Sequence, residues 1–212
     1  MAIRAYDKLY IAGAQNVLGH AVDFAVMSLN LKPDSFGKAF AVSNSSKQFA
    51  IGNPRYVAGM NGCELARKVL TETGTPFKDA EDAMFLDKSP EYWAGWALAF
   101  YQWHSCRSFS EILTVIPLES IVDFYGTYHE MDIMQFVDLM NKKMKEAYPQ
   151  TRLRMRRENY GLSQSELAEY AEVPLRQIQL FEQRQRDINK TASGTLFRIS
   201  KALSCRMEDL LE

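Results

Sequence analysis

Leu162-Ser163-Gln164-Ser165-Glu166-Leu167-Ala168-Glu169-Tyr170-Ala171-Glu172-Val173-Pro174-Leu175-Arg176-Gln177-Ile178-Gln179-Leu180-Phe181-Glu182-Gln183 is the stretch from which the architecture of the C-terminal part can be read. Ser163 followed three residues later by Glu166 is a capping box, in which hydroxyl and carboxylate each satisfy an N–H that a first helical turn leaves without a partner. A helix therefore begins at Gln164. Leu167, Ala168 and Ala171 fall on one face of it, and Val173-Pro174 stops it after about two turns because proline excludes the preceding residue from the helical region. A second short helix follows over 174–183. At about 100° per residue, Ile178 and Phe181 define its buried side, and Arg176, Gln179, Leu180 and Gln183 lie opposite.

Two short helices joined by a tight turn form the unit that places its second helix in a DNA major groove. Arginine can bridge guanine O6 and N7 and glutamine can bridge adenine N6 and N7, so Arg176, Gln179 and Gln183 suit base edges. Upstream, Arg152, Arg154, Arg156 and Arg157 crowd into six residues, either as a phosphate-facing strip or as a solvated helix face. Downstream, the loop 184–190 carries Arg184, Arg186, Asn189 and Lys190, which together with Arg152 and Arg154 are expected at phosphates on the two flanks.

Leu162-Ser163-Gln164-Ser165-Glu166-Leu167-Ala168, then Ile178 and Glu182, then Leu203 and Glu208-Asp209-Leu210-Leu211, is similar to the Xre or Cro/C1-type helix-turn-helix domain of phage and bacterial repressors, over about residues 152–212. The resemblance implies a compact five-helix bundle and sequence-specific binding to double-stranded DNA, with transcriptional regulation as the function. It implies Gln164 at a DNA phosphate, Leu175, Arg176 and Leu180 at base-facing positions, and an internal ion pair between Arg157 and Glu182. The family usually has glycine in the turn where this chain has Glu172, and often after the second helix where it has Arg184.

The whole chain has 212 residues, 47% apolar and 24% charged, the composition of a folded globular protein of one or two domains. Its 25 basic and 26 acidic side chains give a formal net charge of −1, which excludes a globally cationic polymer binder. Residues 1–150 hold 14 basic and 17 acidic side chains and residues 151–212 hold 11 and 9, so the ends differ in sign, −3 against +2. A boundary at Tyr148-Pro149 divides 1–148, an all-helical domain, from 149–212, the DNA-binding domain; the fold class is all-α. Cys63, Cys106 and Cys205 are widely spaced, which speaks against a disulfide framework or a Cys-rich zinc site. The N-terminus lacks a secretory pattern and no apolar run reaches membrane-spanning length, so the expectation is a cytoplasmic protein without a membrane span.

Within 1–148, helices are expected over Asn16–Leu29, from Pro33, over Glu64–Thr71, from Ser89-Pro90-Glu91 to about His104, from Pro117, and over Glu130–Lys145. Tyr92, Trp93, Trp96, Phe100, Tyr101 and Trp103 either line a ligand pocket or partner groove or form an aromatic core or dimer seam. His104 and Cys106 lack a third orienting group, and His129, Glu130 and Asp132 lack the i, i+4 pair of a helical metal site. No catalytic, metal or cofactor site is expected. A homodimer on a palindromic operator follows from the two-half-site logic of such modules, with the dimer contact on helix 90–104 or 130–145. The alternative is an antitoxin-like DNA-binding protein whose N-terminal domain holds a partner protein.

Overall fold

The structure, a computed structural model, describes residues 4–82 and 87–212; Met1, Ala2 and Ile3, part of the N-terminal stretch read above, lie outside the described residues. Every regular element among those residues is helical, and the chain divides into two compact units, Arg4–Met144 and Lys145–Glu212. No described helix is long and apolar enough to cross a membrane.

The N-terminal unit runs α1 (Ile11–Asp23), α2 (Pro33–Val42), α3 (Asn44–Ala50), α4 (Pro54–Val57), α5 (Gly62–Glu72), α6 (Pro90–Ser105), α7 (Phe109–Val115), α8 (Leu118–Asp123), α9 (Tyr125–Tyr128) and α10 (Ile133–Ala147), whose last residues from Lys145 belong to the second unit. Local chemistry sets many of these boundaries. Ser43, Asn61, Ser89 and Ser108 each accept a hydrogen bond from a first-turn N–H, and Asn61 with Glu64 and Ser108 with Glu111 complete capping boxes.

Several boundaries differ from the sequence reading; α5 begins at Gly62 rather than Glu64, because Asn61 caps it. α1 starts at Ile11 rather than Asn16, because Asp7 caps a 3-10 turn at Lys8–Tyr10 that runs straight into it. At its other end Phe24–Ser28 widens into a π turn, with Leu29 N–H bonded to the Phe24 carbonyl. α10 begins at Ile133 rather than Glu130, because the Asp132 carboxylate accepts the Met134 N–H and holds the chain just before the helix start.

α6 is the central helix, and its contact with α1 is made by small residues. A Cβ on Gly95 would lie 2.5 Å from the Leu18 carbonyl oxygen and 2.9 Å from the Gly19 Cα. Ala14, Ala21, Ala94, Ala97 and Ala99 are buried beside this contact. Two helical glycines each cost about 1 kcal/mol in propensity, and that cost is offset by backbones approaching closely enough to exclude water. α2, α3 and α7 contribute a second cluster in which the Phe109 ring lies 4.7 Å from Phe40 and 5.7 Å from Phe49. Tyr92, Tyr101 and Trp103 of α6 are buried inside this unit, whereas Trp93, Trp96 and Phe100 of the same helix are half-buried.

The C-terminal unit contains α11 (Arg152–Tyr160), α12 (Gln164–Tyr170), α13 (Leu175–Glu182) and α14 (Ser193–Ala202), with 3-10 turns at Ile188–Lys190 and Met207–Leu210. The resemblance implies five helices; the last element is a four-residue 3-10 turn, closed by Asp209 accepting the Arg206 N–H. Leu153, Leu167, Ile178, Phe181, Leu196, Ile199 and Leu210 form the core. Each such side chain, fully buried, stabilises the unit by about 1.5 to 3 kcal/mol.

Gly95→Ala improves helix propensity and yet is expected to destabilise the N-terminal unit by about 1 to 3 kcal/mol, the range for overpacking against atoms that cannot move aside. A urea melt followed by tryptophan fluorescence, with Trp103 buried in the unit, measures it. An unchanged or raised midpoint would show that α1 and α6 have room to separate.

Candidate nucleic-acid interface

The helix pair is built by the residues that the capping logic selects. Ser163 Oγ accepts the Glu166 N–H at 3.1 Å and Glu166 returns a carboxylate oxygen to the Ser163 N–H at 2.7 Å. These hydrogen bonds from Ser163, its backbone N–H foremost, hold the Glu166 carboxyl below the usual carboxylate range. The stability that the box contributes is therefore full above the ordinary glutamate pKa and is lost only as pH falls through the lowered value. Val173-Pro174 ends the segment, and α13 follows with Pro174 as its N-cap.

The turn between the helices is made without glycine. Glu172 has φ +50° and Arg184 has φ +54°, so both positions where the family usually has glycine are left-handed here. A non-glycine residue in that region costs about 1 to 2 kcal/mol. At Arg184 the side chain compensates: its guanidinium donates to the carbonyls of Pro149 at 2.6 Å and of Tyr148 and Gln150 at 3.2 Å, and to the Glu212 carboxylate at 3.2 Å. Glu172, which is exposed, has no comparable set of bonds to set against its cost.

α13 is fixed from its inner side. Arg157 Nε lies 2.7 Å from Glu182 Oε1 and Arg157 Nη2 lies 2.9 Å from Oε2, a two-pronged pair. The side chains are 9% and 2% exposed. The third guanidinium nitrogen donates to the Leu162 carbonyl at 2.7 Å, and the Gln164 amide donates to Glu182 Oε2 at 2.8 Å, so the buried charges have their hydrogen-bonding capacity largely used. On the other side of α13, Arg176 and Gln183 are exposed, Gln179 and Leu180 are half-buried, and Leu175 is 37% exposed. Ile178 and Phe181 are buried. The five residues expected at bases thus share one accessible face.

The expected phosphate contacts are less uniform. Gln164, Arg184 and Asn189 have internal work. Gln164 bonds Glu182, Arg184 holds the 148–150 carbonyls, and Asn189 exchanges two hydrogen bonds with the backbone of Glu212. Arg152 is half-buried and its backbone N–H donates to the Glu212 carboxylate. Arg154 pairs with Glu158 at 2.8 Å and Arg156 lies 3.8 Å from Asp209. The arginine cluster at 152–157 is therefore mostly a set of intramolecular pairs rather than an open basic strip. Arg186, exposed over the Phe181 ring, and Lys190, 80% exposed and 3.5 Å from Asp187, remain the accessible cations beside α13.

Glu212 is the residue that sequence reasoning missed. Its carboxylate and backbone accept from the Arg152 backbone N–H, the Arg184 guanidinium and the Asn189 amide, the last two being side chains otherwise suited to phosphate. Nothing in local spacing signals a role for Glu212, 60 positions from one partner.

Comparison with protein-family models, with curated proteins and with solved structures finds no match.

Removing the Glu182 carboxylate strands Arg157 inside the unit. Glu182→Ala is expected to lower the protection of α13 amides by about 3 to 5 kcal/mol in native-state hydrogen exchange, against below about 1 kcal/mol for a surface pair. A loss in the surface range would mean that the pair is dispensable. The two left-handed residues should respond oppositely to glycine. Glu172→Gly relieves strain and raises the thermal midpoint of the unit, with a net gain of about 1 kcal/mol or less after the entropy of glycine is subtracted. Arg184→Gly loses its carbonyl and carboxylate bonds and lowers it. Equal behaviour would remove the compensation argument.

Proposed function

We propose that the protein is a sequence-specific DNA-binding transcriptional regulator that reads the major groove with α13. The observation that carries this reading is the division of that one helix: Ile178, Phe181 and Glu182 are held from within, while Arg176, Gln179 and Gln183 stand on the accessible face with Leu175 and Leu180 beside them. Long donors on a rigid helix are what base edges require, and Leu175 and Leu180 suit a thymine methyl. The order of elements, α11 to α14 with a capped α12 and a short turn before α13, is in keeping with what the Cro/C1-type resemblance implies.

Phosphate contacts in this reading come from Arg186 and Lys190, from Arg154 by exchange of its surface pair, and from the backbone at helix starts. A genome offers about 10⁶ to 10⁹ competing sites, more than one short helix can discriminate against, so two copies on a palindromic operator with half-sites about 34 Å apart complete the account. The dimer contact in this reading belongs to the N-terminal unit, with α10, where Met134 is exposed, one of the two helices expected to carry it.

Selection of bound duplexes from random sequence at fixed salt tests the proposal. A recovered palindrome is the expected result. Arg176→Ala should then cost about 1 to 3 kcal/mol on the selected site and relax preference at one position of each half-site. Failure to enrich any motif, or an unchanged motif with Arg176→Ala, would overturn the assignment.

A further inference from the structure

The N-terminal unit holds a pocket that DNA reading does not use. Its volume is about 470 Å³, within the range of small-molecule sites. Trp93 and Trp96, three residues apart on α6, form one wall; Tyr125 and Tyr128 of α9, with Met131 and Ile133 beyond it, form the other.

These walls are braced by aromatic contacts. The Trp93 ring is set edge-on between Tyr125 at 5.9 Å and Phe136 at 5.4 Å. Tyr125 stacks on His129 at 4.2 Å with an interplanar angle of 17°, and His129 Nδ1 lies 2.7 Å from the Tyr125 carbonyl oxygen. Trp93, Trp96, Tyr125 and Tyr128 are all only half-buried, so large aromatic faces border a hollow rather than closing over it. Leaving that much apolar surface in water is unfavourable unless another apolar body covers it.

The charged groups at the rim specify the class of ligand. Lys88 lies with its ammonium 4.4 Å over the Tyr92 ring and 3.4 Å from His20 Nε2. The Asp132 carboxylate accepts the Met134 N–H at 2.7 Å. The two formal charges cancel, and each group is already engaged by the protein. We propose that this pocket binds a planar, uncharged aromatic small molecule of two or three fused rings, held by stacking on Trp93, Trp96 and Tyr125. The proposal is independent of the DNA-binding reading, and either can fail without the other.

The probe is 2-naphthol, added to the full-length protein while the three tryptophan indole N–H signals are followed by NMR. Trp103 is the internal control, because its indole donates to the Tyr6 carbonyl at 2.8 Å and it does not line the pocket. The Trp93 and Trp96 signals are expected to shift saturably and Trp103 to stay in place. Trp96→Ala should weaken binding by about tenfold or more, in line with loss of one stacking partner. Met131→Trp, at a side chain 43% exposed, fills the mouth without disturbing the core and should abolish saturable binding even if Trp96→Ala fails to fold. Non-saturating shifts, equal shifts at Trp103, or a folded Met131→Trp protein that binds 2-naphthol as tightly as the parent would overturn the proposal.

Discussion

The Glu182 carboxylate, 2% exposed, takes two hydrogen bonds from Arg157 and one from Gln164, and the placement of α13 follows from it. Bringing two charges out of water costs several kcal/mol each, and their attraction repays this only when geometry and remaining hydrogen bonds are good. Both conditions are met here, down to the Leu162 carbonyl on the third guanidinium nitrogen. An apolar pair of equal volume would serve stability as well. It would not fix the rotation of α13 about its own axis, which a planar two-pronged contact does.

That constraint explains how positive charge is distributed in the C-terminal unit. Of the arginines crowded into 152–157, Arg157 is spent on Glu182, Arg154 on Glu158, and Arg156 lies near Asp209. Arg184 is spent on the chain that precedes α11. On and just after α13, Arg176, Arg186 and Lys190 are exposed, and Arg198, Lys201 and Arg206 are exposed farther along the unit.

Elements whose boundaries are set by neighbours in sequence were legible from the sequence. The Ser163–Glu166 box, the Ser89-Pro90 start and the Val173-Pro174 stop depend on hydrogen bonds and sterics within four residues. The Arg157–Glu182 pair was reached only through the family resemblance, since 25 residues separate its partners. The Gly19–Gly95 approach was not legible, because a helical glycine reads as a propensity cost until the opposing backbone is known. The left-handed turn at Glu172 was hidden for a related reason: its usual marker is glycine, and here the conformation is adopted without it. The internal use of Gln164, Arg184 and Asn189 was equally hidden, because a polar side chain has the same spacing whether it faces outward or bonds within its own unit.

Amide chemical-shift mapping of the full-length protein with a selected duplex tests the central claim most directly. The account predicts that perturbations concentrate on Leu175, Arg176, Gln179, Leu180 and Gln183 and on the segment from Arg186 to Lys190, with the buried Arg157–Glu182 pair intact and the aromatic pocket unaffected. Perturbations centred on the N-terminal unit, or none along α13 at saturating duplex, would contradict it.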